Sequence, residues 1–506
     1  MRGMKMRNVA TCGIALVMLI FSQVASAADA PKSDRPNILF CIADDAAWFT
    51  MSAYGCKFVN TRNFDRVAHE GVLFNHAFTS NPKCSPSRAC ILTGRSTWQL
   101  EEAADHFGVF PSKFKVYTDM LEASGYFVGF TGKGWGPGDW KAGGWTRNPA
   151  GNEYSKQKLK PPTTGINRND YAANFEAFLK DRKAGQPFCF WYGCFEPHRP
   201  YELGSGVKFG KKLDDVTVPP YLPDDQTVRS DLLDYAVEVE WFDQQLGKML
   251  QTLKDKGELD NTIVVVTSDN GMPFPRIKGQ IYDDDFHLPL AVRWGSGMKG
   301  GRVVDDFICF TDFAPTFLEA AGLKPLPEMT GKSFLDVLRS DKAGQVDPKR
   351  DRVYVGKERH DIGRPGNVGY PVRAIRTKQF LYARNFKPDR WPAGNPETGY
   401  RNIDDSPTKT DILELDKKGQ SFYWRLSMGK RPLEEMYDLT KDPHCMQNLA
   451  GNTDYDKTKA ELWSELETEL KKQQDPRIFG NGDVFDHYKY TGKRDAVWDA
   501  SKSHDD

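Results

Sequence analysis

Five continuous apolar runs constrain the fold of this chain more than any other feature. They cover residues 37–43, 126–130, 188–195, 262–267 and 288–294, and are rich in β-branched and aromatic side chains. A strand exposed to water on one face alternates apolar and polar residues. Runs without that alternation must be covered on both faces, which implies a mainly parallel sheet. Helical spacing fills the intervals: residues 120–124 before Gly125, 171–179, 230–253 stopping near Gly257, and 312–321 before Gly322. The fold class expected is therefore α/β, a mainly parallel sheet sandwiched by helices.

The polar residues are not scattered. Asp44, Asp45, Lys133, His198, Asp269 and Asn270 all fall just past the C-terminal ends of these runs. Open α/β sheets bind ligands at that edge. Asp44-Asp45 and Asp269-Asn270 together offer three carboxylates and one amide, hard oxygen donors that favour calcium or magnesium over zinc. Asp and Asn are also common in ordinary strand-end turns, so either pair taken alone fits a turn as well as a metal.

After about residue 345 the pattern changes to short strand-like pieces at 352–356, 372–377 and 379–384, with a helix at 461–472. This reads as a smaller C-terminal α+β domain with a short antiparallel sheet. The expected organisation is a signal segment over 1–27, a catalytic domain over 36–345, a C-terminal subdomain over 346–475 and a polar tail over 476–506, mobile from about Asp495.

The stretch Cys84-Ser85-Pro86-Ser87-Arg88, followed by Thr93-Gly94-Arg95, places a thiol at a helix start. Ser85 is expected to cap the helix, and Pro86 suits its first turn. Cys84 then faces unpaired backbone N–H groups, with Arg88 on the same side at i+4. That geometry suits a tetrahedral oxyanion. A buried cysteine before an ordinary helix is the plainer alternative.

These motifs resemble the type I sulfatases, which carry Cys-x-Pro-Ser-Arg followed by Thr-Gly-Arg. The resemblance spans roughly Arg35 to Ala450 and implies an alkaline-phosphatase-like fold. It implies that Cys84 is oxidised by a maturation enzyme to formylglycine, whose hydrate is the nucleophile. It also implies a calcium ion, with magnesium second, held by Asp44, Asp45, Asp269, Asn270 and the residue at Cys84. Arg88, Lys133 and Lys278 would contact sulfate, and His198 would protonate the leaving atom; Arg276 is an alternative to Lys278. One departure stands out. The family commonly has Gly-Lys-x-His, whereas this chain reads Gly132-Lys133-Gly134-Trp135, and indole cannot act as a base.

Pro197-His198-Arg199, Phe274-Pro275 after the Asp-Asn pair, and Tyr437-Asp438-Leu439 with Asp442-Pro443 look most like the heparan N-sulfatase and bacterial polysaccharide sulfatase branch. The implied partner is a sulfated carbohydrate. Arg359, His360, Arg364 and Arg373 are candidates for binding a sugar carboxylate or second sulfate, and equally fit ordinary surface charge. Three alternatives stay open: N-sulfate rather than O-sulfate cleavage, a phosphoesterase of the same fold, and a non-catalytic sulfated-glycan binder.

Composition and targeting agree with this reading. The 506 residues include 69 Lys plus Arg and 69 Asp plus Glu, a balance that argues against nucleic acid as partner. Arg2, Lys5 and Arg7, an apolar core at 14–21 and Ala25-Ser26-Ala27 have the form of a signal peptide, implying export to a periplasm or beyond. No other segment approaches transmembrane length, so no stable membrane insertion is expected. There are nine cysteines. Losing Cys12 with the signal and converting Cys84 leaves an odd number. Cys189 and Cys194 can pair only if their strand bends.

Overall fold

A computed structural model of the chain describes Met1 and residues 35–493. The expected signal segment and the run from Asp495 lie outside the described residues.

The apolar runs form an eight-stranded sheet. In spatial order it runs Asn152–Glu153, Phe127–Gly132, Phe188–Gly193, Asn37–Ala43, Thr262–Ser268, Leu290–Arg293, Val72–Phe74 and Arg302–Val304. The first five strands are mutually parallel. The fifth apolar run departs from the simplest expectation: Leu290–Arg293 pairs antiparallel with both its neighbours. A run buried on both faces looks the same in either direction.

Asn37–Ala43 is the central strand, and its side chains alternate between two cores. Leu39, Cys41 and Ala43 pack beneath the helices Tyr171–Asp181 and Gln226–Asp255. Ile38, Phe40 and Ile42 pack against Cys84–Thr93, Tyr117–Ala123 and Phe313–Ala320. The long helix starts where Asp225 accepts from the Val228 N–H at 3.0 Å, a side-chain N-cap. Cys189 and Cys194 lie five positions apart and so point into opposite cores; both are free thiols.

The helix carrying Cys84 begins two residues earlier than expected. Lys83 occupies the cap position, Cys84 is the first helical residue, and no side chain caps the end. The Ser85 hydroxyl is buried without a partner instead of capping. The helix stops at Gly94, whose φ of 67° is the left-handed conformation that glycine adopts without strain.

The C-terminal region forms the antiparallel sheet Arg352–Lys357, Val372–Thr377, Phe380–Asn385 and Glu434–Asp438, in that order. The helix Asp456–Lys472 packs on it through Leu462, Leu466 and Leu470. Two further corrections concern this region. Residues 476–493, expected as part of a polar tail, pack on the body. Phe485 is buried, and Asp486 accepts from the Gly369 N–H and from Arg390. Arg373, expected at a ligand, is fully buried under the sheet. It donates to Asp475 at 2.6 and 3.0 Å and to Glu358 at 2.7 Å.

That cluster locks the C-terminal segment to the sheet. Asp475→Ala should leave Arg373 to Glu358 alone, with its two bonds to Asp475 unmade in the interior, and cost about 1–3 kcal/mol. Urea unfolding of the two proteins measures this; a loss below about 1 kcal/mol would contradict the assignment.

Candidate active site

Register builds the site. Ala43 pairs with Ser268, Ile42 with Gly193, and Gly132 with Gly193, so four strand ends finish within a residue of one another. Backbone bonds continue past them: Asp44 N–H to Glu196 O, Asp269 N–H to Ala43 O, and Lys133 N–H to Gly193 O. Asp44, Lys133, His198 and Asp269 therefore emerge along one edge. Asp45 takes a φ of 78°, which Asp tolerates better than most residues, and its N–H donates to Asp269 Oδ1 at 3.2 Å.

Cys84 comes to this edge from the other side, at the start of its helix. Its Sγ lies 3.3 Å from Asp44 Oδ1 and 4.0 Å from Asp45 Oδ1. One potential ligand atom from each of Asp44, Asp45, Cys84 and Asp269 falls within 4.8 Å of the others, and all four residues are buried. Asn270 Nδ2 donates to Asp45 Oδ1 at 2.7 Å, while its side-chain Oδ1 is buried without a partner. A cluster of carboxylates with a spare amide oxygen fits a hard divalent cation, which would satisfy that orphaned acceptor.

Three cations hold the carboxylates. Lys133 Nζ lies 2.5 Å from Asp44 Oδ2. Arg88 Nε donates to Asp269 Oδ2 at 2.8 Å, and its Nη1 donates to the carbonyls of Lys133 and Gly134. Arg88 Nη2 alone is left without a hydrogen bond. Lys278 Nζ reaches Asp45 Oδ2 at 2.6 Å and Asp404 Oδ2 at 2.9 Å. Lys278, rather than Arg276, holds this place: Arg276 turns away to the carbonyls of Leu426 and Cys445.

Burial, reinforced by Asp44, pushes the Cys84 thiol well above its ordinary range. Burial would raise Asp44 as well, but Lys133, His198 and Arg88 outweigh it and bring that carboxyl down to about 2. The site thus keeps Asp44 ionised and a free thiol protonated.

These groups open into a cavity of about 770 Å³. Asp44, Cys84, Lys133, Trp135, His198 and Lys278 all line it. His198 is the most open of them, its ring side chain 38% exposed and its Nε2 3.8 Å from Asp45 Oδ2. Trp135 donates its indole N–H to Ser85 O at 3.0 Å and walls the cavity beside Lys133.

The expected saccharide ligands are not brought here. Arg364 is spent on the carbonyls of Trp391, Pro392 and Val368 and on Asn402 Oδ1. Arg359 pairs with buried Asp105, and His360 is buried against Asn81 Oδ1 at 3.2 Å. With Arg373 they form interior polar contacts. The wall instead holds Lys83, His106, Asp361 and Asp404, none of them expected from sequence. Lys83 had one signal, adjacency to Cys84. Asp361 follows His360 directly. Asp404 has none, since a single Asp in a loop carries no pattern.

Residues 36–323 match the family described as Sulfatase, and residues 277–391 match the C-terminal region of N-sulphoglucosamine sulphohydrolase. An ulvan-active sulfatase of Formosa agariphila is 27% identical, over 86% of this chain and 74% of that protein. Human N-sulphoglucosamine sulphohydrolase is 29% identical, over 87% of this chain and 90% of its own length. The solved structure of BT4656 with D-glucosamine-2-N,6-O-disulfate superposes with a TM-score of 0.63 at 22% identity, covering 87% of this chain and 98% of that one. This likeness agrees with an alkaline-phosphatase-like fold. With a family match over more than half its length, the chain belongs to the sulfatases, enzymes that hydrolyse sulfuric esters.

Proposed function

We propose that this sulfatase removes sulfate from a sulfated saccharide, using formylglycine made from Cys84 and a bound calcium ion. The observation that carries this reading is the buried cluster of Asp44, Asp45, Cys84 and Asp269 with the orphaned Asn270 Oδ1. The raised thiol pKa supports the modification, because an unmodified Cys84 would stay protonated and be a poor nucleophile. Calcium bound by these oxygens would polarise a sulfate oxygen and acidify the aldehyde hydrate that serves as nucleophile.

The chain's own residues then have separable tasks. Lys133 and Lys278, each shared with a carboxylate, present positive charge to the sulfate oxygens. Arg88 mainly positions Asp269 and the Lys133 loop, with only Nη2 left to reach an anion. His198, half-open on the wall, gives its proton to the oxygen or nitrogen that leaves sulfur. Lys83, Asp361 and Asp404 offer donors and acceptors for sugar hydroxyls. The match of residues 277–391 to the N-sulphoglucosamine sulphohydrolase C-terminal region favours an amino-sugar sulfate, N-linked or O-linked. The N-terminal signal pattern supports export, and among the described residues no helix is long and apolar enough to cross a membrane.

Three outcomes are expected. Cys84→Ala should lose detectable sulfate release while its thermal midpoint moves by less than about 4 °C; retained turnover would rule out the nucleophile. Calcium at a hundredfold excess over its dissociation constant should stabilise the metal-free protein by about 2.7 kcal/mol, and Asn270→Ala should diminish that shift. A calorimetric scan unmoved by calcium or magnesium would sink the metal assignment. N-sulfoglucosamine and glucosamine 6-sulfate, offered separately, should reveal the bond cleaved. Phosphate esters of the same sugars being turned over faster than either would refute the reading.

A further inference from the structure

The wall of the cavity beside Lys133 holds a histidine that none of the tasks above uses. His106 is 5% exposed and lines the same cavity as Cys84 and Lys133. Its Nδ1 lies 2.7 Å from Asp361 Oδ1, and Asp361 Oδ2 lies 2.8 Å from Lys83 Nζ. The backbone N–H of His106 donates to Arg359 O at 3.0 Å, and its ring packs edge-on to Phe107. These contacts fix both the ring and its tautomer: Nδ1–H donates to the Asp361 carboxylate, which leaves Nε2 a lone pair. That Nε2 is buried and has no hydrogen-bond partner. A buried acceptor left unpaired costs about 1–3 kcal/mol, and such atoms in folded proteins call for an explanation.

The tasks given above leave one proton without an assigned base, His198 being committed to the leaving atom. Once sulfate has been transferred to a hydrate oxygen, one hydroxyl remains on the same carbon. Regeneration breaks the bond from that carbon to the sulfated oxygen and forms the C=O of the aldehyde. The electron pair leaves with sulfate, and the hydroxyl proton must go to a base. No water or further reactant is consumed in this step. Trp135 has no lone pair to offer and its N–H is already committed to Ser85 O. Lys133 and Lys278 are cations held by carboxylates. Asp44 and Asp45 are each engaged by a lysine.

We infer that His106, oriented by Asp361, is the base that accepts this proton and so releases sulfate from the enzyme. This rests on the formylglycine reading given above. His106 would be the catalytic residue of the second half-reaction, and Asp361 its positioning residue. The groups facing the ring are Asp361, Lys83, Lys133 and His360. Burial draws the imidazole down to about 4, with Asp361 opposing and Lys83 and Lys133 assisting, so the ring is neutral at pH 7 and its Nε2 lone pair is unprotonated.

The test separates the two half-reactions. His106→Asn keeps a donor for Asp361 and removes the base. With 4-nitrophenyl sulfate, N-sulfoglucosamine or glucosamine 6-sulfate, it should release about one equivalent of product per active site in a burst. Turnover should then slow by about 10²–10⁴-fold. Mass spectrometry of the quenched Cys84 peptide should find covalent sulfate accumulated in the variant and scarce in the wild type. Imidazole added to His106→Gly, confirmed folded by its thermal midpoint, should restore the slow phase. Steady-state turnover by His106→Asn at the wild-type rate would overturn the inference. So would a fall in burst and turnover together without covalent sulfate. A wild-type protein whose Cys84 peptide does not react with an aldehyde-specific hydrazide, and which releases no sulfate, would overturn the formylglycine reading and this inference with it.

Discussion

Asp44, Asp45 and Asp269 sit within a few ångströms of one another with almost no contact to water, and their mutual repulsion is the constraint the rest of the site answers. Two like charges about 4 Å apart repel by about 4 kcal/mol even at an effective dielectric of about 20. Each carboxylate has its own cation: Lys133 on Asp44, Lys278 on Asp45, Arg88 on Asp269. These pairs balance charge for charge. A divalent ion added to a balanced cluster leaves it positive, the field that a sulfate ester needs in order to enter and that a leaving sulfate must overcome. The same three cations are thus structural partners and candidate anion ligands.

The scaffold makes this arrangement affordable because it comes from strand ends rather than from flexible loops. Asn37–Ala43 is hydrogen-bonded in register on both sides, and apolar layers cover both faces of the sheet. A slip of one residue would turn each strand's side chains to the opposite face. Burial therefore enforces the register, and the register enforces where the carboxylates emerge. The helix carrying Cys84 is buried along its length, which fixes its first turn against that edge without any side-chain cap.

The reading from sequence failed where one residue type serves two environments. Arg359, Arg364 and Arg373 have the composition of an anion-binding patch, yet each has buried partners. Asp105, Asp475 and Glu358 lie far from them in sequence or in another element, and Asn402 and several carbonyls do the same for Arg364. Nothing local distinguishes a guanidinium aimed at a ligand from one aimed at an interior carboxylate. Ser85 failed for a related reason: a serine near a helix start favours capping, but a two-residue shift in the boundary put it inside the first turn, buried and unpaired.

By itself, the sequence determined the sheet, its central strands and the polar residues at their ends, because unbroken apolar runs can be satisfied only by burial on both faces. It also marked Cys84, Lys133, His198 and the Asp-Asn pairs, since each follows directly from a strand or helix boundary. Only the tertiary structure decided which cation meets which carboxylate, that Lys278 rather than Arg276 reaches the site, and that Asp361, Asp404 and His106 form its far wall. Those contacts join residues up to hundreds of positions apart, through loops without periodicity. Their partners are chosen by where the packed sheet and the C-terminal region leave charge unbalanced.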